Sequence, residues 1–145
     1  MSNLSQHFTL EELTHTDHRE FDNTPNEAEK ANLTRLAAFL EEVKEVLGGK
    51  PIMVNSAFRC KAVNDAVGSK DSSQHRIGCA ADIRVPGMTP NEVVEAVIAS
   101  GIEYDQIIRE YDRWTHISVP STAGDNPRRQ SLIIDKAGTR PFKTA

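Results

Sequence analysis

The chain has 145 residues and a formal net charge of -4, with 38% hydrophobic and 26% charged residues. These values are typical of a single globular domain, and we expect one domain over residues 1–145, with its core at about 8–136 and a loosely held tail. The densest basic cluster is Arg128 and Arg129, which is too small a surface for nucleic-acid binding. No apolar run reaches the length of a membrane span, and two cysteines are too few for a disulfide framework.

The stretch from Met1 to Thr16 lacks the basic start and the apolar run of a secretory signal. We therefore expect the protein, as written, to stay in the cytoplasm until something releases it. We also expect it to act as a monomer.

Capping patterns predict two helices near the N-terminus. Thr9 followed by Glu12 is a capping box that predicts a short helix. Thr24 as N-cap, Pro25 at the first helical position and Glu27 completing a box predict the start of a second helix. The apolar stripe of this second helix follows at spacings typical of an amphipathic helix: Leu33, Leu36, Leu40, Val43 and Leu47.

Short strands and one more helix follow. A further capping pattern at Thr89, with Pro90 next, predicts a helix that ends at Gly101. One or two helical turns are expected at 60–67 and a polar loop at 68–77. Apolar runs bounded by turn residues predict strands at 51–55, 80–85, 105–110, 114–119 and 131–135. Helices first and strands later, with short connections, predict an α+β fold.

The candidate chemistry centres on His75, Asp82 and His116. Two histidines and one carboxylate form a known catalytic zinc set, which leaves a fourth position open for water. Taken singly, each residue has an ordinary explanation: a solvated loop histidine, a turn carboxylate and a half-buried strand residue. Together they favour a metal site, because an unpaired carboxylate inside the apolar strand at 80–85 would be costly to bury.

A carboxylate that could act as general base lies close by. If residues 111–113 form a three-residue hairpin loop, Glu110 lies opposite Trp114 and on the same face as His116. A loop of two or four residues would turn Glu110 to the other face. Asp112 is the alternative base, although an aspartate at a hairpin tip is more often a turn former.

Other residues leave alternatives open. Arg59 is either a clamp for a substrate carboxylate or part of a surface salt bridge. Cys79 could offer a thiolate to zinc, but its apolar neighbours favour a small buried core residue. The remaining histidines are interpreted as surface residues: His7, His15 and His18.

These residues resemble the zinc D-alanyl-D-alanine carboxypeptidase family, which also contains phage L-alanyl-D-glutamate endolysins. The similarity is greatest to the short, single-domain branch common in phages and prophages. It runs from about residue 8 to 119, and the most specific part is a Ser-x-His-x-x-Gly-x-Ala-x-Asp run with a later Trp-x-His. The matching stretches are Phe8–Leu13, Val54–Arg59, Asn64–Gly68, Ser73–Asp82, Asp105–Glu110 and Trp114–His116.

The resemblance implies a fold and a site. The fold would be a small α+β domain, like the hedgehog signalling domain, in which helices pack on an antiparallel sheet that carries one Zn²⁺. Carried over position by position, the implied residues are the zinc ligands His75, Asp82 and His116, the catalytic and substrate-binding Arg59, the substrate-binding Ser73 and the catalytic Glu110.

The chain departs from the family pattern around the base. Many members place the catalytic acid three residues before the last histidine, where this chain has Arg113. Some carry a second histidine two residues before it, where this chain has Trp114. The choice between Glu110 and Asp112 therefore stays open at this point.

The expected function is hydrolysis of peptide bonds in peptidoglycan stem peptides, by D-Ala removal or by an endolysin-type cut between L-Ala and D-Glu. The absence of a secretory signal favours the endolysin-type cut between L-Ala and D-Glu. Two alternatives remain: a non-catalytic zinc-binding or phage structural module on the same fold, and a metal-free domain with an accidental cluster.

Overall fold

The computed structural model describes residues 2–143 and has an α+β architecture, as predicted. No helix within that part of the chain is both long and apolar enough to cross a membrane. The elements in chain order are α1 (Leu10–Leu13), α2 (Glu27–Val46), β1 (Met53–Ser56), α3 (Lys61–Ala66), a 3₁₀ helix (Gln74–Ile77), β2 (Ala80–Arg84), α4 (Pro90–Ser100), β3 (Gln106–Glu110), β4 (Trp114–Ser118), β5 (Gln130–Asp135) and β6 (Gly138–Pro141).

Side-chain caps set the helix starts. Helices α1 and α4 begin with the capping boxes predicted at Thr9 and Thr89. The predicted cap of α2 at Thr24 is wrong by two residues, because Asn26 is the N-cap and forms a reciprocal capping box with Glu29. Asn26 accepts from the Glu29 backbone N–H at 2.8 Å, while the Thr24 hydroxyl is bonded to a neighbouring aspartate instead.

The six strands form one sheet in the order β1-β2-β4-β3-β5-β6. Among residues 2–143, neighbouring strands are antiparallel except for β3 and β5, which run parallel, so the antiparallel sheet implied by the resemblance needs this correction. Strand β4 ends with Ser118 opposite Gln106, at the start of β3. The chain then passes over that end of β3 and begins β5 at Gln130, which also pairs with Gln106, so β5 has to run in the direction of β3.

One face of the sheet forms the hydrophobic core. Its central residues Ala81, Ile83, Ile107 and Ile117 are fully buried and cluster with the apolar stripe of α2 and the valines of α4. Each fully buried Leu, Ile or Val side chain contributes about 1.5–3 kcal/mol to stability. Because side chains alternate along a strand, this burial directs the residues between them, including Asp82 and His116, to the opposite face.

The C-terminal part contains a strand that the sequence analysis did not predict. Residues 138–141 pair with β5 as strand β6. The tail positions Thr144 and Ala145 lie outside the described residues.

Candidate metal centre

The three predicted metal ligands converge at one point. The pairing of β2 with β4 places Asp82 directly opposite His116, and the 3₁₀ helix brings His75 over them. Asp82 Oδ1 lies 3.3 Å from His75 Nε2 and 3.1 Å from His116 Nδ1. One donor atom from each of the three buried residues lies within 4.8 Å of the other two, which is the separation a shared metal ion requires.

The 3₁₀ helix is shaped to present His75. The Ser73 hydroxyl accepts a hydrogen bond from the His75 backbone N–H at 3.2 Å and so caps the turn. Gly78 ends it with a left-handed φ of 82°. A Cβ at that position would lie 2.8 Å from the Glu29 carbonyl oxygen, so only glycine lets the turn pack this closely on α2.

The hydrogen bonding of His75 leaves its Nε2 available as a metal ligand. His75 Nδ1 lies 2.7 Å from the Ala57 carbonyl oxygen, which can only accept, so Nδ1 carries the proton. Burial lowers the pKa of His75 and keeps the ring neutral. Nε2 then points a lone pair at the Asp82 carboxylate, an arrangement that is repulsive unless a cation lies between them. A backbone carbonyl that orients a metal-binding histidine in this way is typical of zinc sites.

Asp82 is ionised, the form in which a carboxylate binds metal. Burial acts to raise its pKa, but His75 and His116 more than offset this when their rings are protonated, so the pKa of Asp82 lies far below its usual range. Its other oxygen, Oδ2, accepts from the Arg59 guanidinium at 3.2 Å. Two imidazoles and one carboxylate are a donor set that fits Zn²⁺.

Glu110 lies beside this cluster, as the hairpin register predicted. Strands β3 and β4 pair with Glu110 opposite Trp114, which confirms the three-residue loop. Glu110 Oε1 is 4.0 Å from His116 Nδ1. Burial, and then the negative charge of Asp82, raise the pKa of Glu110, which brings it towards the range in which a carboxylate accepts a proton near neutral pH.

Asp112 points away from the metal centre. Its Oδ1 lies 3.3 Å from Arg109 Nε, and Arg109 is on the opposite face of β3 from Glu110. The Asp112 side chain is 69% exposed. The geometry therefore favours Glu110 over Asp112 as the proton acceptor.

A cleft of about 640 Å³ opens over the candidate metal centre. Asp82, Glu110 and Arg59 are among the residues that line it. The Arg59 side chain is 13% exposed and is held by Ser56, whose hydroxyl accepts from Arg59 Nε at 3.1 Å. Arg59 is therefore not in a surface salt bridge but in the cleft, beside the ligand Asp82.

The remaining candidate residues do not line the cleft, and one of them, Ser73, caps the turn that carries His75. Ser73 bonds the His75 backbone and is not among the residues that line the cleft, so its contact with substrate stays a prediction. Cys79 is buried in the core, as predicted, and burial raises the pKa of its thiol. The three N-terminal histidines each pair with a nearby carboxylate at or near the surface: His7 with Glu41, His15 with Asp17 and His18 with Glu20.

The sequence analysis missed a buried polar network behind His75. Asp105 accepts from Arg128 Nε at 3.0 Å, from another Arg128 guanidinium nitrogen at 2.6 Å and from Gln74 Nε2 at 3.0 Å. Gln74 precedes His75, so the network ties the 3₁₀ helix to the start of β3. The available signal was the position of Asp105 at the start of an apolar strand, since a buried carboxylate requires a hydrogen-bonding or charged partner.

The comparisons with known proteins agree with this geometry. A family model described as Peptidase M15 matches residues 6–118, which is more than half of the chain and includes the three candidate ligands and Glu110. None of the curated proteins compared with the chain matches it.

Proposed function

The chain belongs to the peptidase M15 family, and we propose that it hydrolyses peptide bonds in the stem peptides of bacterial peptidoglycan. Membership of this family implies a zinc metallopeptidase. The observation that carries the proposal is the convergence of His75, Asp82 and His116 on one point, with Glu110 4.0 Å from His116 and an open cleft above.

The ligand set would hold one Zn²⁺. When bound, the ion supplies Lewis acidity, which polarises the scissile carbonyl and lowers the pKa of water. Asp82 contributes the negative charge, and the Ala57 carbonyl keeps His75 oriented with its Nε2 free. His116 is held by its strand pairing opposite Asp82.

Glu110 is the proposed general base. In the proposed reaction it accepts a proton from the attacking water and returns it to the leaving amine. Burial and the charge of Asp82 raise its pKa, which favours uptake of a proton. Asp112 is the weaker candidate, because its carboxylate pairs with Arg109, which lies on the opposite face of β3 from Glu110.

Arg59 is proposed to orient the substrate. It lines the cleft and lies next to Asp82, where its guanidinium can meet a peptide carbonyl or carboxylate in the cleft. Ser73 is proposed to help shape the same site through the turn that presents His75.

The test is product analysis by mass spectrometry, with purified peptidoglycan fragments, zinc-loaded protein and a chelator control. Free D-Ala identifies a carboxypeptidase, and a new N-terminal D-Glu identifies an endopeptidase of the L-Ala–D-Glu bond. No metal-dependent product from several peptidoglycan types would overturn the proposed substrate.

A pair of variants tests the assignment of the base. We expect Glu110→Gln to lower kcat by roughly 10²–10⁴-fold, the usual contribution of general acid–base catalysis, with zinc stoichiometry unchanged. Asp112→Asn is the matched control, because it removes a carboxylate two residues away on the other face. Loss of hydrolysis in Asp112→Asn with normal hydrolysis in Glu110→Gln would reverse the assignment.

A further inference from the structure

The C-terminal hairpin of β5 and β6 lies outside the part of the chain that the family model matches. The match ends at residue 118, and the hairpin spans 130–141. Because β5 runs parallel to β3, its end arrives beside the end of β3, with Ile134 opposite Glu110. The Tyr111 backbone N–H donates to the Ile134 carbonyl at 2.8 Å. The hairpin thus places its own turn next to the candidate active site.

The two neighbouring turns enclose a second open space, here called the hairpin pocket, of about 700 Å³. Residues 111–114 line one side of it and residues 135–137 the other. Tyr111 and Trp114 line both this pocket and the cleft over Asp82 and Glu110. Their ring centroids are 6.3 Å apart, and Tyr111 is 47% exposed. The two rings therefore border both the cleft and the hairpin pocket.

The acidic groups of the hairpin pocket already have partners. Asp112 pairs with Arg109 at 3.3 Å. Asp135 receives two hydrogen bonds of 2.8 Å from Arg140, one on each carboxylate oxygen. Both arginines lie outside the pocket lining. The negative charges of Asp112 and Asp135 are therefore paired with arginines that do not line the pocket.

The basic groups of the hairpin pocket have no such partners. Within residues 2–143, the side chains of Arg113 and Lys136 form no ion pair and donate no hydrogen bond. Asp112 and Asp135 pair with Arg109 and Arg140, so among residues 2–143 Arg113 and Lys136 are the charged groups of the pocket lining without an ion-pair partner, and the same pocket is lined by two aromatic rings. That combination is complementary to an anionic ligand with an apolar body.

We propose that the hairpin pocket is a substrate subsite that binds a carboxylate-bearing part of the stem peptide, with Arg113 and Lys136 as the residues that determine this specificity. The inference rests on the proposed function, because the carboxylates that it invokes are those of stem peptides. These carboxylates are free in some peptidoglycans and amidated in others. Tyr111 and Trp114 form the apolar wall between this subsite and the hydrolytic site.

A fluorescence titration tests the subsite without requiring turnover. Trp114 is the only tryptophan of the chain and lines the pocket, so its emission reports occupancy. The titrations use zinc-loaded Glu110→Gln protein and two versions of one stem tetrapeptide, with free or amidated carboxylates. We expect the free-carboxylate peptide to bind about tenfold more tightly, since two exposed charge contacts act together.

Charge variants then locate the effect. The double substitution Arg113→Gln with Lys136→Gln should abolish the difference between the two peptides. The matched control, Lys30→Gln with Lys50→Gln, removes two exposed positive charges that line neither the cleft nor the hairpin pocket, and it should keep the difference. Circular dichroism verifies that each variant is folded.

The outcomes separate this inference from the proposed function. Equal binding of both peptides by Glu110→Gln protein, or an undiminished difference in the Arg113/Lys136 variant, overturns the subsite even where the native protein hydrolyses peptidoglycan. Charge-dependent binding without any hydrolysis by the native protein supports the subsite and overturns the proposed reaction. In an active protein, the Arg113/Lys136 variant should raise KM for the free-carboxylate peptide about tenfold and change kcat by less than about twofold.

Discussion

Two buried aspartates of the sheet region, Asp82 and Asp105, each face an arginine, yet their surroundings differ. The carboxylate of Asp105 accepts hydrogen bonds from groups that always carry a proton: the Arg128 guanidinium and backbone N–H, and the Gln74 amide. Asp82 meets one such donor, Arg59, on Oδ2. Its Oδ1 faces two imidazole nitrogens, and the one from His75 carries a lone pair.

The difference shows how the type of partner decides the role of a buried carboxylate. A carboxylate whose oxygens all meet N–H groups is satisfied by the protein and holds segments together. A carboxylate oxygen that faces an unprotonated ring nitrogen, as Asp82 Oδ1 faces His75 Nε2, is suited to share a cation with it. The surroundings of Asp105 therefore suit a structural anchor, and those of Asp82 suit a metal ligand.

The largest expected effect is on metal affinity. We expect Asp82→Asn to weaken zinc binding by more than about 100-fold, since even a residue that hydrogen-bonds a zinc ligand directly is worth about 10- to 100-fold, and Asp105 bonds no candidate ligand side chain. Asp105→Asn should change zinc affinity by less than about tenfold. Competition with a chromogenic chelator measures both. Equal losses in the two variants would remove the distinction drawn between these aspartates.

The next effect is on stability. We expect Asp105→Asn to lower the free energy of unfolding by about 2 kcal/mol, because it weakens hydrogen bonds to a charged group while Arg128 remains partly in water. Urea denaturation of the zinc-free protein measures the change. A change within about 0.5 kcal/mol, as is usual at surface positions, would show that the network behind His75 does not anchor the fold.

The smallest expected effect is the pH dependence of the stability that Asp105 contributes. Burial acts to raise the pKa of Asp105, but the hydrogen bonds from Arg128 and Gln74 hold it below its usual value in the folded state. A lowered folded-state pKa gives stability that is present above the unfolded value of about 3.9 and is lost as pH falls through the folded value.

We therefore expect the stability difference between the native protein and Asp105→Asn to be constant above about pH 5 and to narrow below about pH 4. Urea titrations at several pH values between these limits and pH 3 provide the measurement. A difference that stays constant to pH 3 would contradict the lowered pKa.

Much of the candidate site was predictable from local sequence. The Ser73–Asp82 run and Trp114–His116 identified the three residues that converge. The hairpin register of Glu110 followed from the length of the turn at 111–113, because side chains alternate along a strand. Tyr111 and Asp112 have left-handed φ values of 54° and 53°, a strained turn that sequence reasoning did not anticipate.

Other features depended on contacts between distant segments. The cap of α2 was misplaced because Thr24 and Asn26 are both good caps, and only the bond between Asn26 and Glu29 decides between them. Arg128 lies in the connection between β4 and β5, 23 residues after its partner Asp105, and no local sequence pattern predicts such a pair. The same connection made β5 parallel to β3.

The sequence by itself determined the α+β class, the amphipathic helices and the residue types of the metal centre. Each of these depends on periodicity or on short-range spacing, which a chain carries without folding. Only the tertiary structure decided that His75 offers Nε2, that Asp105 anchors the turn behind it and that the C-terminal hairpin adds a pocket beside the cleft. These depend on which distant groups meet, and that is settled by packing of the whole sheet rather than by any local stretch of sequence.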